Sequence, residues 1–313
     1  MKSYTLIAPA KINLHLEILG IRPDNYHELV MIMQTVDLAD RIEIRSISTD
    51  NIILNCGHPN VPLDRTNLAY RAAELMQQEF PDAFLEHGGV EITLHKHIPI
   101  AAGLAGGSGN AAAVLVGIDL LWELGLTQSD LQKLGARLGS DVPFCISGGT
   151  AIATGKGDVI SPLTSLEGIY VVLGKYQSLE VSTPWAYATY RQEFGHEYAQ
   201  SPASLADRSH HVHSGDLVRA IVAGDAVKIG SLLYNDLEKV VLSAYPSVSQ
   251  LRAEFQRHPN LGTMMSGSGP TVFSLTASRS QADTLYHQVR AAIPDPDLEI
   301  FVTQFCDRGV RVI

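Results

Sequence analysis

Residues 98–113 read IPIAAGLAGGSGNAAA. Phosphate oxygens are approached most closely by backbone N–H groups that no side chain shields, and a helix N-terminus adds a favourable dipole. Gly103, Gly106, Gly107 and Gly109 leave the backbone open in this way, and the Ala-rich run from about Asn110 is expected to form the helix. Ser108 adds a hydroxyl able to touch a phosphate or a bound Mg2+. A dinucleotide site fits less well. Gly107-x-Gly109-x-x-Ala112 satisfies G-x-G-x-x-A, but residues 99–106 separate it from the strand-like run before it. No second strand ends in an acidic residue about twenty positions on. The Walker A pattern is absent too, because Gly155-Lys156 is followed by Gly157.

Two other places carry reactive groups. Ile12, Leu14, Leu16 and Ile18 alternate with Lys11, Asn13, His15 and Glu17, the period of a half-buried strand. Lys11 and Asn13 then share its polar face. In SDVPF, residues 140–144, Ser140 or Asp141 stands where a short helix would start, with Pro143 in the first turn.

These groups need elements to hold them. Strand-like runs at 29–36 and 41–47 make the opening β-rich. A helix is expected over 68–80, and a strand over 90–97 leads directly into the glycine-rich segment. Thr127 and Asp130 form a capping box for the helix that ends near Gly139. Small residues cluster at 148–162, which suggests a domain boundary there, dividing the chain into 1–160 and 161–313. The second part opens with a strand at 169–173. Helical patterns follow at 217–223 and 248–257, a strand–turn–strand at 263–276 around SGSGP, and a last strand at 298–305. Residues 193–214 are poorly patterned. His210, His211 and His213 within them read as a solvated loop, because no carboxylate or cysteine stands at ligand spacing.

The bulk properties narrow the function. A chain of 313 residues suits two ordinary domains, and 45 % hydrophobic residues exclude a disordered one. The net charge of −10 removes the basic footprint that nucleic-acid binding needs, so anionic ligands must be held locally. Cys56, Cys145 and Cys306 stand far apart and are read as reduced, buried thiols. The first residues alternate like a strand and carry no unbroken apolar run. The stretch AAAVLVGIDLLW is broken by Asp119 and too short to span a bilayer. A cytoplasmic protein without a membrane partner is expected; the oligomeric state is not legible, and a homodimer stays open.

The run P-x-x-x-G-L-x-G-G-S-x-x-A-A, from Pro99 to Ala112, resembles the second signature of the GHMP kinases, and MSGSGPTVF at 265–273 resembles their third. PAKINLHLEILGIRPDNYHEL at 9–29 and GSDVPFCISGGTAIATGKGD at 139–158 resemble one branch, the 4-diphosphocytidyl-2-C-methyl-D-erythritol kinases of the methylerythritol phosphate route to isoprenoids. The resemblance covers nearly the whole chain. It implies an α+β fold of two domains, the first like the second domain of ribosomal protein S5 and the second ferredoxin-like, with ATP in the cleft between them. It implies transfer of the γ-phosphoryl group of ATP, with Mg2+, to the 2-hydroxyl of 4-diphosphocytidyl-2-C-methyl-D-erythritol. Homoserine-type and mevalonate-type kinases are the nearest alternative readings.

The resemblance also distributes roles. Phosphoryl transfer needs a group to orient the attacking hydroxyl and a cation near the moving phosphoryl. Asp141 and Lys11 match the family's catalytic pair, with Asn13 beside them. Tyr26 and His27 stand where the family stacks and reads cytosine. Tyr187 is the expected second stacking residue, with Thr183 nearby and Trp185 as the alternative. Gly267 and Ser268 of the SGSGP turn are expected to close over the substrate. Asn67, Leu68 and Lys96 match positions beside adenine. Pro99, Ala102, Gly103, Leu104 and Ala105, then Gly106, Gly107, Ser108, Gly109 and Asn110, match the ATP loop. One departure stands out: the family usually has a second small polar residue after Ser108, and this chain has Gly109.

Overall fold

The computed structural model describes residues 2–199, 201–213 and 215–313, with the backbone alone at 202, 206 and 209–211. The chain opens with β1 (Ser3–Ile21) and β2 (His27–Ile47), a long antiparallel hairpin. The two runs expected at 29–36 and 41–47 are thus one strand. β3 (Ile52–Cys56), α1 (Leu68–Glu79) and α2 (Pro81–His87) come next, then β4 (Gly89–His95) and α3 (Gly106–Trp122). α4 (Gln128–Ala136), α5 (Val142–Ser147), β5 (Thr150–Gly155) and β6 (Val159–Pro162) complete the first half. The length of β2 lets it serve two partners on one edge: β5 pairs with its first third and β4 with its last. The register of β1 against β2 shifts after Asn13, beside Lys11. Such shifts re-aim side chains and are frequent near active sites.

α3 is apolar over most of its surface, and it is accordingly largely buried between the sheet and α1, α4 and α5. Gly117 allows the close approach: a Cβ there would stand 2.8 Å from Ile44 Cγ2 on β2. α4 starts with the expected capping box, the Thr127 hydroxyl accepting from the Asp130 N–H and the Asp130 carboxylate accepting from the Thr127 N–H.

The second half contains β7 (Tyr170–Tyr176), α6 (Thr183–Phe194), a 3-10 turn (Gly195–Glu197) and α7 (Pro202–His213). α8 (Asp216–Ala223), α9 (Ala226–Ser231), β8 (Tyr234–Asn235), α10 (Glu238–Ala244) and α11 (Pro246–Gln256) follow. β9 (Gly262–Met265), β10 (Val272–Thr276), α12 (Arg279–Ala292), β11 (Leu298–Gln304) and β12 (Arg311–Val312) end the chain. The second sheet runs β11-β7-β10-β9 and is antiparallel throughout, with α11 and α12 packed on it. In chain order that is 4-1-3-2, the ferredoxin-like arrangement expected. The halves interlock: β8 and β12 leave the second half to pair with β1.

Two expectations are corrected. Between 193 and 213 the described residues end α6, form a 3-10 turn at Gly195–Glu197 and form α7 at Pro202–His213, and so are largely helical and not a loop. His213 is exposed at the end of α7, while the side chains of His210 and His211 lie outside the described residues. Among the described residues no His, Cys, Asp and Glu cluster could hold a metal ion. Of the three free cysteines only Cys145 is buried; Cys56 and Cys306 are half-buried.

Candidate active site

Lys11 and Asn13 sit in the middle of β1, and both are buried. This corrects the half-buried strand, since the face carrying them is covered by other parts of the chain. The Lys11 N–H donates to the Leu104 carbonyl of the glycine-rich segment at 3.1 Å. The Lys11 Nζ donates to Asn13 Oδ1 at 2.7 Å and lies 3.6 Å from Asp141 Oδ2. Asp141 occupies the N-cap position of α5, but its carboxylate makes no capping bond. It faces Lys11 instead and is 29 % exposed against 6 % for the lysine side chain. A buried cation beside a more accessible carboxylate is what an attacking hydroxyl and an incoming phosphoryl group would meet.

The glycine-rich segment differs from expectation in where its helix starts. α3 begins at Gly106, not Asn110, so Gly106, Gly107 and Ser108 are its first turn. Ala105 at the N-cap is left-handed, with φ 58°, and has no capping side chain. The first bond of the helical ladder is Gly109 N–H to the Ala105 carbonyl at 2.8 Å, which leaves the N–H groups of the preceding residues for a ligand. Gly103, with φ +71°, admits the SGSGP turn: a Cβ there would stand 2.4 Å from the Ser266 carbonyl oxygen. Ser266 Oγ donates to the Gly103 carbonyl at 3.1 Å.

Two predicted loop residues do not line the cleft. The Leu104 side chain belongs to the core, 1 % exposed. Gly109 packs on β1, with the nearest contact of an added Cβ being Ala8 Cβ at 3.5 Å. The missing second hydroxyl is therefore not a missing phosphate contact. Both positions were assigned by motif, and motif spacing does not say which side of a helix turn faces out.

Lys96 is held by a group that sequence reasoning missed. Asp40, fully buried on β2, pairs with the Lys96 ammonium and accepts from the backbone N–H of His97 at 2.8 Å and of Ile98 at 2.9 Å. Asn110 Nδ2 donates to the same carboxylate at 2.9 Å, and Lys96 Nζ donates to Asn110 Oδ1 at 3.0 Å. One carboxylate thus ties β2, the start of the glycine-rich segment and the second turn of α3. Asn67 is similarly occupied: it caps α1 by accepting from the Ala69 N–H at 2.9 Å and donates to the Pro62 carbonyl at 2.8 Å.

At the far end of the cleft, Tyr26 is 57 % exposed on the turn between β1 and β2, with Lys156 Nζ 5.3 Å from its ring centre. His27 lies against Tyr187, ring centres 5.0 Å apart, and its Nε2 is 3.1 Å from Tyr198 Oη. Burial, then the nearby Arg191 charge, lowers the His27 pKa below its ordinary 6.5. Burial likewise raises the Tyr187 phenol far above its ordinary value. Trp185 turns away and packs edge-on against Tyr245 at 5.3 Å. Thr183 Oγ1 and Ser268 Oγ are 2.8 Å apart, bridging α6 and the SGSGP turn. Lys156 and Arg191 were not foreseen as cleft residues. Lys156 had a signal, for it stands between Gly155 and Gly157, both at positive φ; Arg191 is one helical turn beyond Tyr187 and had none.

Apart from Leu104 and Gly109, every predicted site residue lines one cleft of about 910 Å³. Lys11, Asn13 and Asp141 lie in it with the N-terminus of α3 and the pocket formed by Tyr26, His27 and Tyr187.

The GHMP kinases N terminal domain matches residues 67–149, and the GHMP kinases C terminal domain matches residues 217–295. The chain is 64 % identical to the 4-diphosphocytidyl-2-C-methyl-D-erythritol kinase of Nostoc punctiforme, over 100 % of this chain and 99 % of that protein. It is 63 % identical to the enzyme of that name from Trichormus variabilis, with the same coverage. Among solved structures, a 4-(cytidine 5'-diphospho)-2C-methyl-D-erythritol kinase superposes with TM-score 0.73 at 30 % identity, covering 96 % of this chain and 98 % of that one. The homoserine kinase from Cytophaga hutchinsonii superposes with TM-score 0.77 at 19 % identity, covering 100 % and 98 %, a likeness of fold. With that fold, an uncapped helix start and a paired lysine and aspartate in one cleft, the chain is a small-molecule kinase of the GHMP superfamily, and it belongs to the 4-diphosphocytidyl-2-C-methyl-D-erythritol kinase family.

Proposed function

We propose that the chain transfers the γ-phosphoryl group of ATP to the 2-hydroxyl of 4-diphosphocytidyl-2-C-methyl-D-erythritol, in the methylerythritol phosphate route to isoprenoid precursors. The observation that carries this reading is the Lys11–Asp141 pair, 3.6 Å apart, in a cleft that also holds the N-terminus of α3 and an aromatic–histidine pocket. ATP phosphates lie on the N–H groups of Gly106, Gly107 and Ser108, where the helix dipole favours anions. Cytosine stacks between Tyr26 and Tyr187, and His27 meets its polar edge. Trp185, packed edge-on against Tyr245 and outside the cleft lining, takes no part in this stack.

The Asp141 carboxylate accepts the proton of the 2-hydroxyl as its oxygen attacks the γ-phosphorus. The bond from that phosphorus to the oxygen bridging it to the β-phosphate breaks, and ADP leaves. The Lys11 ammonium stabilises the charge on the transferred group. Asn13 holds the ammonium in place.

The donor set suits Mg2+ as an ATP-borne ion. The Ser108 hydroxyl and Asp141 are oxygen donors in the cleft. Mg2+ binds through one or two carboxylates plus phosphates and waters. Bound there it would neutralise phosphate charge. The free thiols agree with a cytoplasmic enzyme. We place the domain division near residue 160, a reading supported by the two separate sheets.

The deciding experiment is ADP release in the presence of the diphosphocytidyl substrate, homoserine or mevalonate. Turnover with the first alone is expected. Preference for either of the others would overturn the substrate assignment.

A further inference from the structure

The segment Asn235-Asp236-Leu237-Glu238 was not singled out by the sequence, yet its three polar side chains are buried or nearly so and fully engaged. Asn235, 5 % exposed, donates through Nδ2 to the Met265 carbonyl at 2.9 Å and to the Gly267 carbonyl at 2.8 Å. Its Oδ1 accepts from the Leu237 N–H at 2.9 Å. Glu238 Oε1 accepts from the Met265 N–H at 2.9 Å and from Arg252 Nε at 2.8 Å. The carboxylate of Asp236 accepts from the Ile18 N–H at 2.8 Å, while the Asp236 N–H donates to the Leu16 carbonyl at 3.0 Å. One side of this segment is therefore bound to β1, the strand that carries Lys11 and Asn13. The other side is bound to the start of the SGSGP turn.

That turn meets the reactive groups directly. A Cβ at Gly267 would lie 3.3 Å from Asn13 Oδ1 and 3.6 Å from Lys11 Nζ. Gly267 has φ +57°. Among the described residues the N–H groups of Gly267 and Ser268 have no internal acceptor. They are donors at the boundary of the cleft where negative charge would develop.

We propose that Asn235 is a positioning residue for phosphoryl transfer. It fixes the Gly267 carbonyl, and with it the direction of the following N–H groups, relative to Lys11 and Asn13. Its amide is suited to this because one donor goes to the last carbonyl of β9 and the other to the Gly267 carbonyl of the turn, which ties the turn to the strand that leads into it. Donors aimed at developing charge act only when prealigned, and a displacement of about 1 Å costs on the order of 10²-fold in rate. The inference rests on the kinase reading above.

The test compares Asn235→Asp with the wild-type enzyme under saturating Mg-ATP and the diphosphocytidyl substrate. The substitution sets a carboxylate oxygen against two carbonyl oxygens. The expected result is a fall in kcat of about 10²-fold with both KM values within about threefold. Partial recovery is expected as pH falls, because the protonated acid regains one donor. Unchanged kcat, or a rise in both KM values with kcat retained, would overturn the proposal. Asn235→Ser, which keeps one donor, replaces it if Asn235→Asp does not fold, and should fall between the two. A measurement free of substitutions accompanies them: hydrogen exchange at the 267 and 268 amides of the wild type. Slowing is expected on saturation with a non-hydrolysable ATP analogue plus substrate, and no slowing would also overturn the proposal. If the wild type does not turn over the diphosphocytidyl substrate, the substrate reading falls. The same comparison is then made on the acceptor it does phosphorylate.

Discussion

At the scale of single residues, the central fact is that Asp141 stands at a helix cap and does not cap. A carboxylate at that position would ordinarily accept from the first-turn N–H groups. Here it turns to Lys11, 3.6 Å away. Asp141→Asn keeps the shape and removes the proton acceptor. It is expected to fold normally and to lose turnover by roughly 10² or more; a variant retaining half the wild-type rate in an ADP-release assay would remove Asp141 from the mechanism. His27 makes a second prediction. Its pKa is held below 6.5 by burial and by Arg191, so the folded protein keeps the imidazole neutral where the unfolded chain would already protonate it. Stability linked to this residue is complete above pH 6.5 and is lost as pH falls through the lower folded value. KM for the cytidine substrate should stay flat through pH 6.5 and rise only as pH approaches the lower folded value. In Arg191→Ala the rise should begin at higher pH; an unmoved profile would assign the break to another group.

At the scale of elements, the proposed phosphate site is a helix start more than a loop. α3 begins four residues earlier than the Ala-rich run suggests, because glycines at Gly106, Gly107 and Gly109 are helical here despite their poor intrinsic propensity. Burial of the rest of α3 against the sheet offsets that cost. Ser108 faces the cleft and Gly109 faces Ala8 on β1. Ser108→Ala should therefore weaken Mg-ATP use sharply, whereas Gly109→Ser should leave KM for ATP within about twofold, since an added Cβ has ordinary contact room and the ligand side is unchanged. Unchanged Mg-ATP use in Ser108→Ala would return the phosphate contacts to the backbone alone. Asp40 is the anchor of the same segment. Asp40→Ala leaves the Lys96 ammonium buried without its partner and two N–H groups without an acceptor, so unfolding free energy should fall by about 3–5 kcal/mol. Chemical denaturation measures it, and a loss under 1 kcal/mol would make the network dispensable.

At the scale of the whole molecule, the cleft is built from both halves. Lys11, Asp141 and the N-terminus of α3 come from the first; Thr183, Tyr187 and the Gly267 turn come from the second. β8 and β12 return from the second half to pair with β1, so the halves fold as partners and not as beads. A ligand that bridges them should stabilise both. CDP at about a hundred times its Kd would add about 2.7 kcal/mol, seen as a rise in Tm. UDP should protect less, because its base presents the opposite donor and acceptor pattern to His27. Equal protection by the two would make the cytosine assignment wrong.

What the sequence by itself determined was local: the alternation that makes β1, the glycines before an Ala-rich run, the capping box at Thr127, and motifs specific enough to name a family. These depend on neighbours a few positions apart, so they are legible in one dimension. Only the tertiary structure decided which candidates share the cleft. It left Leu104 and Gly109 out of the cleft lining, set Trp185 against Tyr245 while Tyr187 lines the cleft, and added Lys156 and Arg191. It alone supplied Asp40, whose side-chain partners lie 56 to 70 positions away, and Asn235, whose carbonyl acceptors lie 30 and 32 positions away. The glycine-rich segment can announce a phosphate site from its own residues. What holds that site rigid is buried polar bonding between distant strands and turns, and no spacing along the chain encodes it.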